Sequence, residues 1–98
     1  MNIDITAFLE EKRKNKLNII DIRQKAQYDL GHIPTAKNIP HTNLLINPEY
    51  YLNKNELYYI YCQYGISSQN ASNKLNSLGY KTISINGGYN SYQMKMPK

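Results

Sequence analysis

The sequence predicts an α/β domain with a mostly parallel sheet, and three observations predict it. Short runs rich in β-branched and aromatic residues, over 17–22, 58–61 and 81–85, alternate with longer segments whose apolar residues recur at helical spacing. Gly31 and Gly79 stand where two of those segments stop. The 98 residues are 41% hydrophobic and 19% charged, which supplies one core and leaves no chain for a second domain. Strands alternating with helices at this rhythm build parallel sheets, and such sheets bind ligands beyond the carboxyl ends of their strands.

Taken in order, the chain opens on a short edge strand expected over 3–5 and a helix over 6–15. Asp4 or Thr6 supplies the cap, and Ile5, Phe8 and Leu9 recur at helical spacing. Residues 17–22, Leu-Asn-Ile-Ile-Asp-Ile, are too few and too β-branched for a helix and read as a buried strand. Asp21 and Arg23 stand at its carboxyl end, two residues apart and so on one side. A short helix over 26–30 stops at Gly31, expected in the left-handed conformation of a helix C-terminus. The stretch from Gly31 to Pro40 holds two prolines and a glycine, so it reads as a tight connection into a very short strand at Asn38 and Ile39. Over 41–52 the pattern yields one or two short helical turns, interrupted by Pro48. Beyond the strand at 58–61, Ala71, Leu75 and Leu78 place a helix over 67–78, capped at Gly79. The strand at 81–85 closes on Asn86-Gly87-Gly88. Tyr89, Tyr92 and Met96 then mark a final helix over 89–96 that Pro97 ends.

Composition excludes several classes of function. The single cysteine, Cys62, has no partner for an internal disulfide, so a reducing, cytoplasmic setting is expected. No apolar run spans a bilayer and no signal-peptide pattern opens the chain, so no membrane partner is expected. The net charge is +5, with Lys12, Arg13, Lys14 and Lys16 clustered near the end of the first helix. There they form a solvated face whose cations suit the helix dipole. No base-stacking aromatics interleave them, so no nucleic-acid partner is expected; a basic surface steers small anions instead. His32 and His41 lack ligand spacing and no second cysteine exists, so neither a metal nor another cofactor is expected.

The chemistry gathers at Tyr58-Tyr59-Ile60-Tyr61-Cys62-Gln63-Tyr64-Gly65-Ile66-Ser67-Ser68, which reads as strand, loop, helix with the thiol at the top of the strand. The N–H groups and dipole of a helix N-terminus favour an anion, so they can hold a thiolate. A cysteine protease needs a general base with an orienting partner. His32 lies in a Gly-His-Ile-Pro turn, where a backbone hydrogen bond is its expected role. A phosphatase needs a loop arginine to clamp phosphate oxygens, and the loop from Gln63 to Ser68 holds neither Arg nor Lys. Sulfur transfer requires less. A thiolate attacks a sulfane sulfur, a stable anion leaves, and loop N–H groups alone can hold the persulfide.

These residues resemble the rhodanese family, most of all its single-domain bacterial thiosulfate sulfurtransferases, and four segments carry the resemblance. Ile19-Ile20-Asp21-Ile22-Arg23 matches the family's strand ending in Asp-x-Arg. Gly31-His32-Ile33-Pro34, with Ala36, Asn38, Ile39 and Pro40, matches its first signature. Cys62-Gln63-Tyr64-Gly65-Ile66-Ser67-Ser68 is similar to the active-site loop, Cys-x-x-Gly followed by small residues. Gly87-Gly88-Tyr89, with Tyr92 where a Trp is common, resembles the helix near the family's C-terminus.

The resemblance implies one rhodanese-like domain over 1–98, with five mostly parallel strands flanked by helices on both faces. It implies Cys62 as the persulfide-forming nucleophile. Gln63, Tyr64, Gly65, Ile66, Ser67 and Ser68 become the cradle, and Arg23 either a structural salt bridge or a substrate contact. The expected partners are a small anionic sulfur donor, thiosulfate or a polysulfide or persulfide, and a thiol, protein or cyanide acceptor. Three departures bear on this. Ser67 stands where many members carry Arg, Gln27 where an acid usually pairs with the Asp-x-Arg arginine, and Thr35 where glycine is usual. The expected activity is sulfur transfer through a Cys62 persulfide. The rival reading is a non-catalytic binding or persulfide-relay module, with a small phosphatase or arsenate reductase behind it.

Overall fold

Five strands lie side by side, every pairing parallel, in the order β1-β5-β4-β2-β3. The computed structural model describes residues 1–96. The strands are β1 (Asn2–Ile3), β2 (Asn18–Asp21), β3 (Lys37–Asn38), β4 (Leu57–Tyr61) and β5 (Lys81–Ile85). The helices are α1 (Ile5–Lys14), α2 (Lys25–Leu30), α3 (His41–Ile46), α4 (Pro48–Tyr51), α5 (Ile66–Ser77) and α6 (Gly88–Lys95). Register sets Ile20 beside Ile60 and Ile60 beside Ser84, so β4 runs through the middle with the thiol just beyond its end.

The side-chain period of two divides β4 between two cores. Tyr58, Ile60 and Cys62 face one core, with Ile20, Leu44, Ala71 and Leu75, so α3 and α5 cover that side. Tyr59 and Tyr61 face the other, with Phe8, Ile19, Ile33 and Ile85, where α1 and α6 pack. Burial on both faces explains why β4 reads as a continuous apolar run rather than an alternating one. Tyrosine tolerates this because its hydroxyl finds a backbone partner at the edge of each core. Tyr58 Oη accepts from Asn53 N at 2.8 Å and Tyr61 Oη accepts from Ile33 N at 3.1 Å.

Several expectations are corrected in detail. The first strand ends at Ile3, because Asp4 caps α1 by accepting from Ala7 N and so draws Ile5 into the helix. Gly31 is extended at φ 163, not left-handed: the chain straightens there instead of making a glycine cap. Pro48 opens α4 at its first position, where its missing N–H costs nothing, rather than merely interrupting a helix. Gly79 does take the left-handed conformation, at φ 98, behind α5. The expected role of Pro97 lies outside the described residues. Among the described residues no helix is long and apolar enough to cross a membrane.

Candidate active site

Two glycine turns pressed together build the site. After β4 the chain passes Cys62 and turns at Gly65, whose φ of 95 suits glycine, and α5 begins at once. After β5 it turns at Gly87 and Gly88, φ 75 and 56, and α6 begins. The second turn donates to the first: Tyr89 N to Cys62 O at 2.9 Å and Asn90 N to Gln63 O at 3.0 Å. A Cβ at Gly88 would lie 2.2 Å from Cys62 O, so only glycine permits this approach.

The cysteine sulfur receives Gly65 N at 3.1 Å and Ser68 N at 3.3 Å, and Ser68 Oγ lies 3.5 Å away. Two amides at the start of a 12-residue helix thus converge on one atom, and such a pair favours negative charge there. The first turn of α5 holds no acidic side chain to oppose it. Cys62 is 8% exposed and lies at the edge of the core it shares with Ile60 and Ala71. Tyr64, Ile66 and Ser67 stand exposed on the loop that follows, while Ser68 is buried against the sulfur.

Arg23 sits below the loop with its side chain 4% exposed. Nε and Nη2 grip Asp21, at 2.7 Å for the shortest contact, and Nη2 also donates to Gly31 O at 2.7 Å. Burial works against its charge, but the hydrogen bond and charge of Asp21 outweigh that and hold the guanidinium above its usual range. Its carbon lies 4.2 Å from the centroid of the Tyr89 ring. Nη1 donates to Gln63 Oε1 at 3.1 Å, and this bond is how the guanidinium reaches the loop. With Gln27 exposed, Asp21 serves as the arginine's acid. His32 points away from this chemistry. Its Nδ1 donates to Tyr28 O at 2.8 Å and its ring stacks on Tyr28 at 3.7 Å.

Sequence reasoning missed the support behind the sulfur. Ser68 Oγ lies 2.7 Å from Ser84 Oγ on β5, and both residues are fully buried. The signal was present: Ser68 and Ser72 are four apart on a helix, Thr82 and Ser84 two apart on a strand, so each pair occupies one face.

A concavity of about 810 Å³ lies elsewhere, around the amino ends of β2 and β4, lined by Lys12, Lys16, Lys37, Tyr50 and Tyr58 among others. Its lining holds no cysteine. A smaller recess of about 360 Å³ adjoins the thiol loop between Tyr64, Ile66 and Asn86.

Residues 4–95 match the sequence family described as Rhodanese-like domain. A thiosulfate sulfurtransferase GlpE of Pseudoalteromonas translucida is 29% identical over 96 residues, which cover 94% of this chain and 88% of that protein. An adenylyltransferase and sulfurtransferase uba4 of Ogataea parapolymorpha is 30% identical over 79 residues, 80% of this chain and 20% of that protein. The chain spans about a fifth of the length of such two-function relatives. The crystal structure of a rhodanese-like domain protein from Staphylococcus aureus superposes with a TM-score of 0.85 at 29% identity, covering 94% of this chain and 91% of that one.

Proposed function

The chain belongs to the rhodanese-like domain family, and on that premise we propose that it is a sulfurtransferase whose Cys62 carries sulfane sulfur as a persulfide. The observation that carries this reading is the pair of amide donors on Cys62 Sγ inside an uncharged loop. The thiolate attacks the outer sulfur of thiosulfate. An S–S bond forms to Sγ, the S–S bond of the donor breaks, and sulfite leaves with the bonding pair. The persulfide anion left behind carries one negative charge and finds donors without a basic side chain. Cyanide or a thiolate then attacks the outer sulfur, takes it as thiocyanate or as a new persulfide, and returns Cys62 as thiolate.

Residues Gln63, Tyr64, Gly65, Ile66, Ser67 and Ser68 surround the cargo in this scheme, with the N–H groups of Gly65 and Ser68 as the holding atoms. Arg23 acts from below, by fixing Gln63. A second reading, a persulfide relay for a protein partner, is favoured by Tyr64 and Ile66, 65% and 73% exposed on the thiol loop. Purified protein exposed to thiosulfate, and separately to polysulfide, is to be weighed intact by mass spectrometry. A gain of one sulfur atom that cyanide removes as thiocyanate, absent in Cys62→Ser, is expected. Loading from either small donor supports the sulfurtransferase, loading from a protein persulfide and neither small donor selects the relay, and loading from none of them overturns both readings.

A further inference from the structure

Helix α5 meets strand β5 through two buried hydroxyl pairs, one turn apart. Ser72 Oγ lies 2.7 Å from Thr82 Oγ1, and Ser68 Oγ lies 2.7 Å from Ser84 Oγ. The first pair is tied into Asn76, whose Oδ1 accepts from Thr82 N and Oγ1 at 2.8 Å each, and it ends there. The second pair ends on the cysteine sulfur, 3.5 Å from Ser68 Oγ. Ser84 is fully buried, and its side chain has Ser68 Oγ as its hydrogen-bond partner. Ser68 Oγ accepts from Cys62 Sγ at 3.5 Å and donates to Gly65 O at 3.4 Å.

We propose that Ser84 is a positioning residue for Cys62 that acts through Ser68. The Ser84 hydroxyl donates to Ser68 Oγ and leaves the Ser68 proton to point at the sulfur whenever the sulfur is an anion. In the thiol form the direction reverses at one link: S–H donates to Ser68 Oγ, and Ser68 donates to Gly65 O. The row of hydroxyls is therefore complete in both forms, and each bond strengthens the next between two fully buried serines. The proposal rests on the proposed function only in needing Cys62 to react as a thiolate. The charged groups on the surrounding elements are the Arg23–Asp21 pair, which reaches the loop through Gln63, the Met1 amino group beside β5, and Lys74 and Lys81 on α5 and β5. None of them hydrogen-bonds to either serine side chain.

The test is the rate of Cys62 alkylation by iodoacetamide against pH, which needs no sulfur donor and so reports on Ser84 even in a chain that never loads sulfur. Ser84→Ala is expected to slow alkylation about threefold at neutral pH and to move the profile toward higher pH. Ser72→Ala, which cuts the matching pair with no sulfur at its end, is expected to lower stability and leave the profile in place. Adding Ser84→Ala to Ser68→Ala is expected to change nothing further, because the link is already cut. A wild-type profile in Ser84→Ala, or an undiminished effect in the Ser68→Ala background, overturns the proposal. The unmutated protein supplies a reading independent of how the variants fold. By NMR, the buried Ser84 hydroxyl proton is expected to shift across the pH range in which Cys62 becomes reactive. A fixed Ser84 signal across that range also overturns it.

Discussion

At the scale of the residue, Thr35 is the one non-glycine residue among those described that holds a positive φ, 74. A β-branched side chain in the left-handed region costs roughly 1–2 kcal/mol, because Cβ crowds the following carbonyl. The rhodanese resemblance puts glycine at this position, which removes that cost but adds freedom to the unfolded chain. The two effects oppose each other, and the steric one is the larger. Thr35→Gly is therefore expected to stabilise the fold by about 0.5–1 kcal/mol, read as a higher urea midpoint at unchanged slope. A lower midpoint would show that the threonine side chain contributes more than its backbone strain costs.

At the scale of the element, the β5–α6 turn is the feature that makes the thiol loop rigid. The N–H groups at the start of α6 hold the carbonyls of Cys62 and Gln63, and Gly88 lets them come close. In Gly88→Ala the new methyl meets backbone on two sides, Cys62 O at 2.2 Å and Gln63 C at 2.9 Å, and neither can swing away. A cost of about 2–4 kcal/mol and at least a tenfold loss of sulfur loading are expected. Gly31→Ala is the comparison. Its methyl would meet the end of the Tyr89 side chain, which can give way, so a smaller cost is expected. Equal urea midpoints for the two variants would mean that the turn does not brace the loop. Elements with a strong local signal were legible: β5 lies where its β-branched run predicts, and α5 differs by one residue at each end. The stretch over 41–52 was not, because α3 and α4 are six and four residues long and owe their form to packing over β2 and β4 rather than to propensity.

At the scale of the whole molecule, the loop of the candidate site was legible in the sequence, while the groups packed behind that loop needed the fold. Cys62, Gly65 and Ser68 share one loop, so their meeting was readable from spacing. Ser84 reaches Ser68 from β5, and Gly88 lies against the Cys62 carbonyl at the start of α6; only the parallel pairing of β4 with β5 brings both there. The two-sided burial that hides those supports has a consequence in solution, since it fills both cores with tyrosine. Burial pushes the phenols of Tyr59, Tyr61 and Tyr92 above the usual tyrosine range, and Tyr61 furthest, with the Asp21 hydrogen bond and charge adding to it. In the unfolded chain these groups ionise near pH ~10. Below that pH both states keep their phenolic protons, so the folded chain loses nothing. Above it the unfolded chain releases protons that the folded chain retains, so stability falls as pH rises, by up to about 1.4 kcal/mol per pH unit for each such group. Urea unfolding followed from pH ~8 to ~11.5 is expected to show a steepening loss that is shallower in Tyr61→Phe, which has no proton to release. Because Tyr61→Phe also leaves Ile33 N without its acceptor, its midpoint at neutral pH is expected to be lower, by about 1–2 kcal/mol. The two stability curves should therefore converge as the solution becomes alkaline. Parallel curves would mean that Tyr61 ionises in the folded chain as freely as it does in water.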